Sequence, residues 1–188
     1  MRHWMISFVL VGFASCTATA PLDETAALEK GKRITSATFQ ALSARLSAAM
    51  QAGGPARAVE YCSLNALPLV DSISVAEGVH IKRTSDRLRA VHDSPDADEK
   101  RALQVMLDQW AQGNAGTVLS DVRMLGDSVA YYQPILIASP TCLKCHGTAG
   151  LDLDSNAFAV ITQHYPEDAA TGYALGELRG MWSIRWKN

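Results

Sequence analysis

Between Thr25 and Met50 the apolar residues Leu28, Phe39, Leu42, Leu46 and Met50 return at helical spacing, with Glu29, Lys30, Gln40 and Arg45 between them. The pattern predicts a long amphipathic helix. Gly53-Gly54-Pro55 stops it, and a second helix is predicted from about Ala56 to Leu67, where Pro68 ends the periodicity. Cys62 falls in the middle of that helix, on a face with Val59 and Ala66. Val79 to Arg89 reads as a short strand or extended segment with a basic edge of Lys82, Arg83, Arg87 and Arg89. Ser94-Pro95-Asp96 supplies an N-cap, a first-turn proline and an acidic start for a helix running through Trp110. Its inward side carries Leu103, Met106, Leu107 and Trp110, and Gly113-Asn114-Ala115-Gly116 closes it.

Val118 to Leu125 and Ser128 to Ala138 are predicted strands joined at Gly126-Asp127, a hairpin that leads straight into a cysteine-bearing loop. Phe158 to Tyr165 and Glu177 to Trp186 are two further β-prone segments, separated by a turn-rich stretch from Pro166 to Gly176. Helices first and an antiparallel sheet afterwards make the expected class α+β.

The start of the chain changes the picture of where it works. Met1-Arg2-His3-Trp4-Met5 followed by apolar Ile6 to Ala14 has the charged start and short greasy core of an export signal, too short to span a bilayer. Residues 1–20 are assigned to that signal. Ala18-Thr19-Ala20 offers a cleavage site, although Pro21 directly follows it. Phe13-Ala14-Ser15-Cys16 also resembles a lipobox, which would leave a lipidated Cys16 attached to a membrane; otherwise Cys16 is discarded with the signal. Residues 21–188 then form a single domain, long enough to bury a substantial core without disulfides. With 48% hydrophobic and 19% charged residues and a net charge of −2, the chain lacks the basic excess that nucleic-acid binding needs.

The chemistry is concentrated in Cys142-Leu143-Lys144-Cys145-His146, a C-x-x-C-H run of the kind that fixes c-type haem. The two thiols suit addition across the haem vinyl groups, and the adjacent imidazole suits ligation of the iron. Zinc would need a second ligand pair to close its tetrahedron, and no second C-x-x-C or H-x-x-x-H occurs. A thioredoxin-like dithiol belongs early in a βαβ unit, whereas this pair lies late and follows Ser139-Pro140-Thr141. An exported chain and a haem c site agree, because disulfide and thioether chemistry both belong outside the cytoplasm.

The other side of such an iron has several candidates: His80, His92 and His164, the thiol of Cys62, and Met50, Met106, Met124 and Met181. Cys62 has no disulfide partner once Cys142 and Cys145 are consumed by haem and Cys16 is cleaved or lipidated. It reads either as a small buried hydrophobe or as an axial ligand. The methionines read as core filling. The arginine run has two readings also, a solvated edge strand or, through Arg83 and Arg87, guanidinium partners for the haem propionates.

Further residues carry a likeness: Ala58-Val59-Glu60-Tyr61-Cys62, Arg83-Thr84-Ser85 with Leu88-Arg89, Pro134-Ile135 before the pentad, Tyr165-Pro166 with Asp168, Gly172-Tyr173, and Arg179-Gly180. Together they resemble a family of bacterial single-haem, PAS-like domain proteins long catalogued as a domain of unknown function. The resemblance implies a PAS-like antiparallel sheet flanked by helices, one covalent haem c, and iron ligated by His146 and Cys62. It departs from the family at Ala90-Val91-His92-Asp93, where members tend to continue with Asn-Pro and a later Asn, and His92 is the local substitute there.

The function expected is therefore an exported, periplasmic haem protein that senses redox state or a small ligand through a change at Cys62. The alternative is a periplasmic electron-transfer cytochrome. Either needs a separate redox or signalling protein as partner. Catalysis is not expected, since no convergent acid–base constellation stands out.

Overall fold

In the computed structural model, residues 21–113 and 119–188 are described; the predicted export signal with Cys16 and the predicted helix-closing residues 114–116 lie outside them. The first helix, α1, spans Glu24–Glu77 and is broken at Gly53 and Gly54. Asp23 caps its start by accepting from the Ala26 amide at 3.0 Å. Gly54 takes φ 72°, a conformation glycine reaches without steric cost, and Pro55 then opens the second arm. Arg33 and Glu77 show what the break does. A continuous helix would hold residues 44 positions apart at roughly 66 Å, yet their guanidinium and carboxylate meet at 2.7 Å and 2.9 Å. α1 is thus two antiparallel arms.

The second arm does not stop at Pro68. It continues to Glu77, where Gly78 at φ 63° ends it with amide bonds back to Ser74 and Val75. An interior proline costs about 3 kcal/mol, but Val70 and Ile73 beyond it pack on the sheet, and burial of such side chains stabilises by about 1.5–3 kcal/mol each. The buried stripe of the first arm also differs from the predicted one. Ala27, Gly31, Ile34, Thr35 and Thr38 face inward, whereas Phe39 is 58% exposed. Close packing of the arm on the sheet puts small residues beside Ile34; of the predicted stripe, Leu28 and Leu42 pack against this core, while Phe39 and Leu46 face outward.

Four strands follow: β1 (His80–Thr84), β2 (Asp121–Leu125), β3 (Ser128–Leu136) and β4 (Leu178–Lys187), paired antiparallel throughout in the order β1-β4-β3-β2. Both faces are covered. Adjacent Tyr131 and Tyr132 are each fully buried, because alternation along β3 sends one ring towards Ile34, Val70, Ile81 and Ile184 and the other towards Ala102, Leu103 and Met106. The first set lies under α1, the second under α2 (Ala97–Ala111).

Helix α2 starts later than Ser94 suggests. Asp96 is its cap, accepting from the Asp98 and Glu99 amides, while the Glu99 carboxylate accepts from the Asp96 amide. Leu103 and Met106 are buried and Leu107 and Trp110 pack beside them, as the spacing predicts. The pentad lies on a short helix, α3 (Pro140–His146), and not in an open loop. Phe158 to Tyr165 is not a strand: α4 occupies Ser155–His164. Asp154 caps it through the Asn156 and Ala157 amides, and Ala157 and Ile161, one turn apart, are its buried residues. This local cap and helical burial override the β-prone composition. Among the described residues no helix is long and apolar enough to cross a membrane.

Candidate functional site

The site forms where α3, α4, the second arm of α1 and the loops after β1 and α4 meet at one end of the sheet. Ser139 and Pro140 start α3 with the fixed φ that suits a first helical turn. Three residues apart on one helix, Cys142 and Cys145 share a face. Gly147 follows because nothing larger fits: a Cβ there would lie 2.6 Å from the Leu143 carbonyl oxygen and 2.7 Å from Asp152 Cβ.

Residues 166–176 wrap the end of α3. The Tyr173 amide donates to the His146 carbonyl at 2.9 Å, and the Gly172 amide to the Gly147 carbonyl at 2.8 Å. Ala170 supplies its carbonyl to His146 Nδ1 at 2.7 Å. Arg89 ties the wrap to the helix, bonding Asp168 Oδ1 at 3.1 Å and donating to the Cys145 carbonyl at 2.6 Å.

These contacts decide what His146 presents. With Nδ1–H donating to Ala170, the lone pair stays on Nε2, the tautomer a metal-ligating imidazole needs. Burial first, then the Arg89 and Arg179 guanidiniums, hold the ring well below the usual imidazole range, so it is neutral.

Cys62 reaches the same place from α1. One turn before it, Val59 packs on Leu153, Ala157 and Ile161, a cluster that Cys145 and Tyr165 also touch. Cys62 lies within electrostatic reach of Cys145, Tyr165, Arg83 and Arg89. Burial pushes the Cys62 thiol up, against the pull of Arg83 and Arg89, and it pushes Cys145 up likewise against Arg89. None of Cys62, Cys142 and Cys145 is in a disulfide.

The basic run is not a solvated edge. Lys82 Nζ pairs with buried Glu99 at 2.8 Å, on the opposite face of β1 from Arg83. Arg87 and Arg89 lie beyond the strand, in the turn that follows it. Arg87 donates to the Ala169 carbonyl at 3.1 Å and to the Thr171 carbonyl, and its guanidinium stacks 4.0 Å from the Tyr173 ring centroid. Arg83 has no hydrogen bond or ion pair among the described residues, and its guanidinium stands 5.9 Å from the Trp182 ring centroid. The Tyr173 hydroxyl is buried without a partner among the described residues.

Of the other iron-ligand candidates, Met106 and Met181 are buried in the core beside α2. His80, His92 and His164 are exposed, with His92 next to Asp93 on a single 3-10 turn, Val91–Asp93. Among the described residues no three His, Cys, Asp or Glu side chains are placed to hold a bare metal ion. Sequence spacing did not point to the roles of Asp168, the Ala170 carbonyl and Arg179. Asp168 lies 79 positions from Arg89, and Arg179 lies 33 from His146.

No curated protein matches the sequence. Among solved structures, the crystal structure of the cyanobacterial heme-protein Tll0287 aligns with a TM-score of 0.60 and 22% identity. The alignment covers 85% of this chain and 95% of that one, so the two share a fold. Residues 22–186, nearly the whole described part, match the Tll0287-like family, and the chain belongs to it.

Proposed function

We propose that the chain is an exported haem c protein, a PAS-like α+β domain that senses redox state or a small ligand. One haem is assigned to Cys142 and Cys145 by thioether bonds, with His146 and Cys62 as axial ligands. The carrying observation is convergence: Cys62, brought in by α1, lies within electrostatic reach of Cys145, no disulfide joins Cys62, Cys142 or Cys145, and the adjacent His146 is neutral with Nε2 unprotonated. The relative Tll0287, a heme-protein by its description, supports the same reading.

The residues fit such a group. Besides the sulfurs and imidazole, the site holds an excess of guanidinium over carboxylate and the orphaned Tyr173 hydroxyl, which suits a ligand carrying carboxylates. Arg83, with open donors, is the side chain assigned to a propionate; Arg87 would first have to leave the Ala169 and Thr171 carbonyls. When bound, haem supplies a redox-active iron whose ligands set its potential. Cys62, raised by burial as a free thiol, is held as thiolate only against a metal.

The signalling residues are those around Cys62. Val59 ties its helix to α4, so displacement of Cys62 moves the second arm against Ala157 and Ile161. The output passes to a separate redox or signalling protein in the periplasm, with a lipidated Cys16 as the alternative to a freely diffusing form.

The test is a pyridine haemochrome spectrum, then ferric and ferrous spectra of wild type and Cys62→Ala. A c-type haemochrome and a changed ferric spectrum in the variant are expected. Colourless exported protein would end the proposal, and an unchanged ferric spectrum would remove Cys62 from the iron. One observation favours electron transfer: the last turn of α3 is bonded to the wrap through the His146 and Gly147 carbonyls and His146 Nδ1, and to Arg89 through the Cys145 carbonyl, a rigidity that suits small reorganisation. Fast exchange in both directions with Cys62 retained in the ferrous state would select that reading.

A further inference from the structure

Arg179, at the start of β4, is a cation without a counter-ion. Its Nη1 donates to the Arg87 carbonyl at 3.1 Å, its guanidinium lies 5.5 Å from the Tyr173 ring centroid, and no carboxylate stands within ion-pair distance among the described residues. Shielding such a charge from water costs several kcal/mol unless something negative answers it. Its Nε is 3.3 Å from His146 Nδ1.

Nδ1 cannot serve both neighbours. To accept from Arg179 it must be unprotonated, and to bond the Ala170 carbonyl it must carry the proton. The carbonyl is closer, at 2.7 Å against 3.3 Å, so the proton stays on Nδ1. Arg179 then acts on the ring by its charge and not as a hydrogen-bond donor. A guanidinium stays protonated in proteins, so this charge is permanent. A hydrogen bond from Nδ1–H makes a ligating imidazole more basic and favours the oxidised metal, and a cation held against the same nitrogen opposes that.

We infer that Arg179, through its fixed charge beside Nδ1 of His146, raises the reduction potential of an iron held at Nε2. This rests on the haem reading above. It places potential control on β4, the strand that runs from the site to the far end of the sheet.

The experiment is a redox titration of haem-loaded wild type, Arg179→Gln, Arg179→Lys and, as a charge control at the other end of β4, Arg185→Gln. Haem content is checked by pyridine haemochrome in each. At a fixed ambient potential near the wild-type midpoint, Arg179→Gln is expected to lower the ferrous-to-ferric ratio tenfold or more, about 59 mV for a one-electron couple. Arg179→Lys and Arg185→Gln are expected to stay within threefold of wild type. Arg179→Gln within threefold of wild type at equal haem content overturns the inference and leaves the haem assignment standing. If Arg179→Gln fails to hold haem, Arg179→Lys decides alone: a tenfold drop there overturns the inference. Wild type lacking covalent haem removes the underlying reading, and the inference with it.

Discussion

Arg89 and Asp168, 79 residues apart in sequence, form the most shielded ion pair at the site: their side chains are 15% and 7% exposed and meet at 3.1 Å. The same guanidinium holds the Cys145 carbonyl at 2.6 Å. One side chain thus fastens both the wrap and the pentad.

Removing it leaves a buried carboxylate and an unpaired carbonyl. Breaking one partner of a buried pair costs about 3–5 kcal/mol, so Arg89→Ala is expected to lower unfolding stability by that order in urea titrations. Covalent haem content after export is expected to fall as well. Unchanged stability would mean that Asp168 finds another partner.

Gly31 faces the fully buried ring of Tyr131, where a Cβ would come within 2.2–2.5 Å of three ring carbons. The ring cannot swing away, since it is packed on all sides. Gly31→Ala is expected to destabilise the protein by about 1–3 kcal/mol, read as a lower urea midpoint at unchanged slope.

Arg33 and Glu77 close the base of the α1 hairpin, and hydrogen bonding to Arg33 holds the Glu77 carboxyl below its ordinary 4.5. A depressed folded-state value means stability that is present above the ordinary value and is lost as pH falls through the folded one. The difference in melting temperature between wild type and Glu77→Gln is therefore expected near neutral pH and to vanish in acid below the carboxylate range. A difference that persists in acid would show that the glutamine disturbs packing.

Arg83 and Arg87 separate by their partners. Arg87→Gln removes bonds to Ala169 and Thr171, and faster hydrogen exchange is expected at the Gly172 and Tyr173 amides, which depend on the wrap. Arg83→Gln breaks no bond among the described residues, so haem-free stability is expected to stay within about 0.5 kcal/mol of wild type. Its effect is expected only in haem-loaded protein, as weaker retention of the ferric spectrum in denaturant.

Periodicity, glycine pairs and the pentad were enough to read an α+β chain, the two arms of α1, α2, the β2–β3 hairpin and β4, because each depends on residues a few positions apart. The family was legible in the same way, from short motifs spread along the chain. Other features depended on what lay across the fold. Pro68 stays helical because the sheet rewards Val70 and Ile73, and Phe158 to Tyr165 coils because Ala157 and Ile161 meet α1. Which arginine is tied down and which is open, and which nitrogen of His146 keeps its proton, were decided by carbonyls and carboxylates dozens of residues away. Hydrogen bonds act over about 3 Å and leave no periodic trace in a sequence, so only the assembled structure could place them.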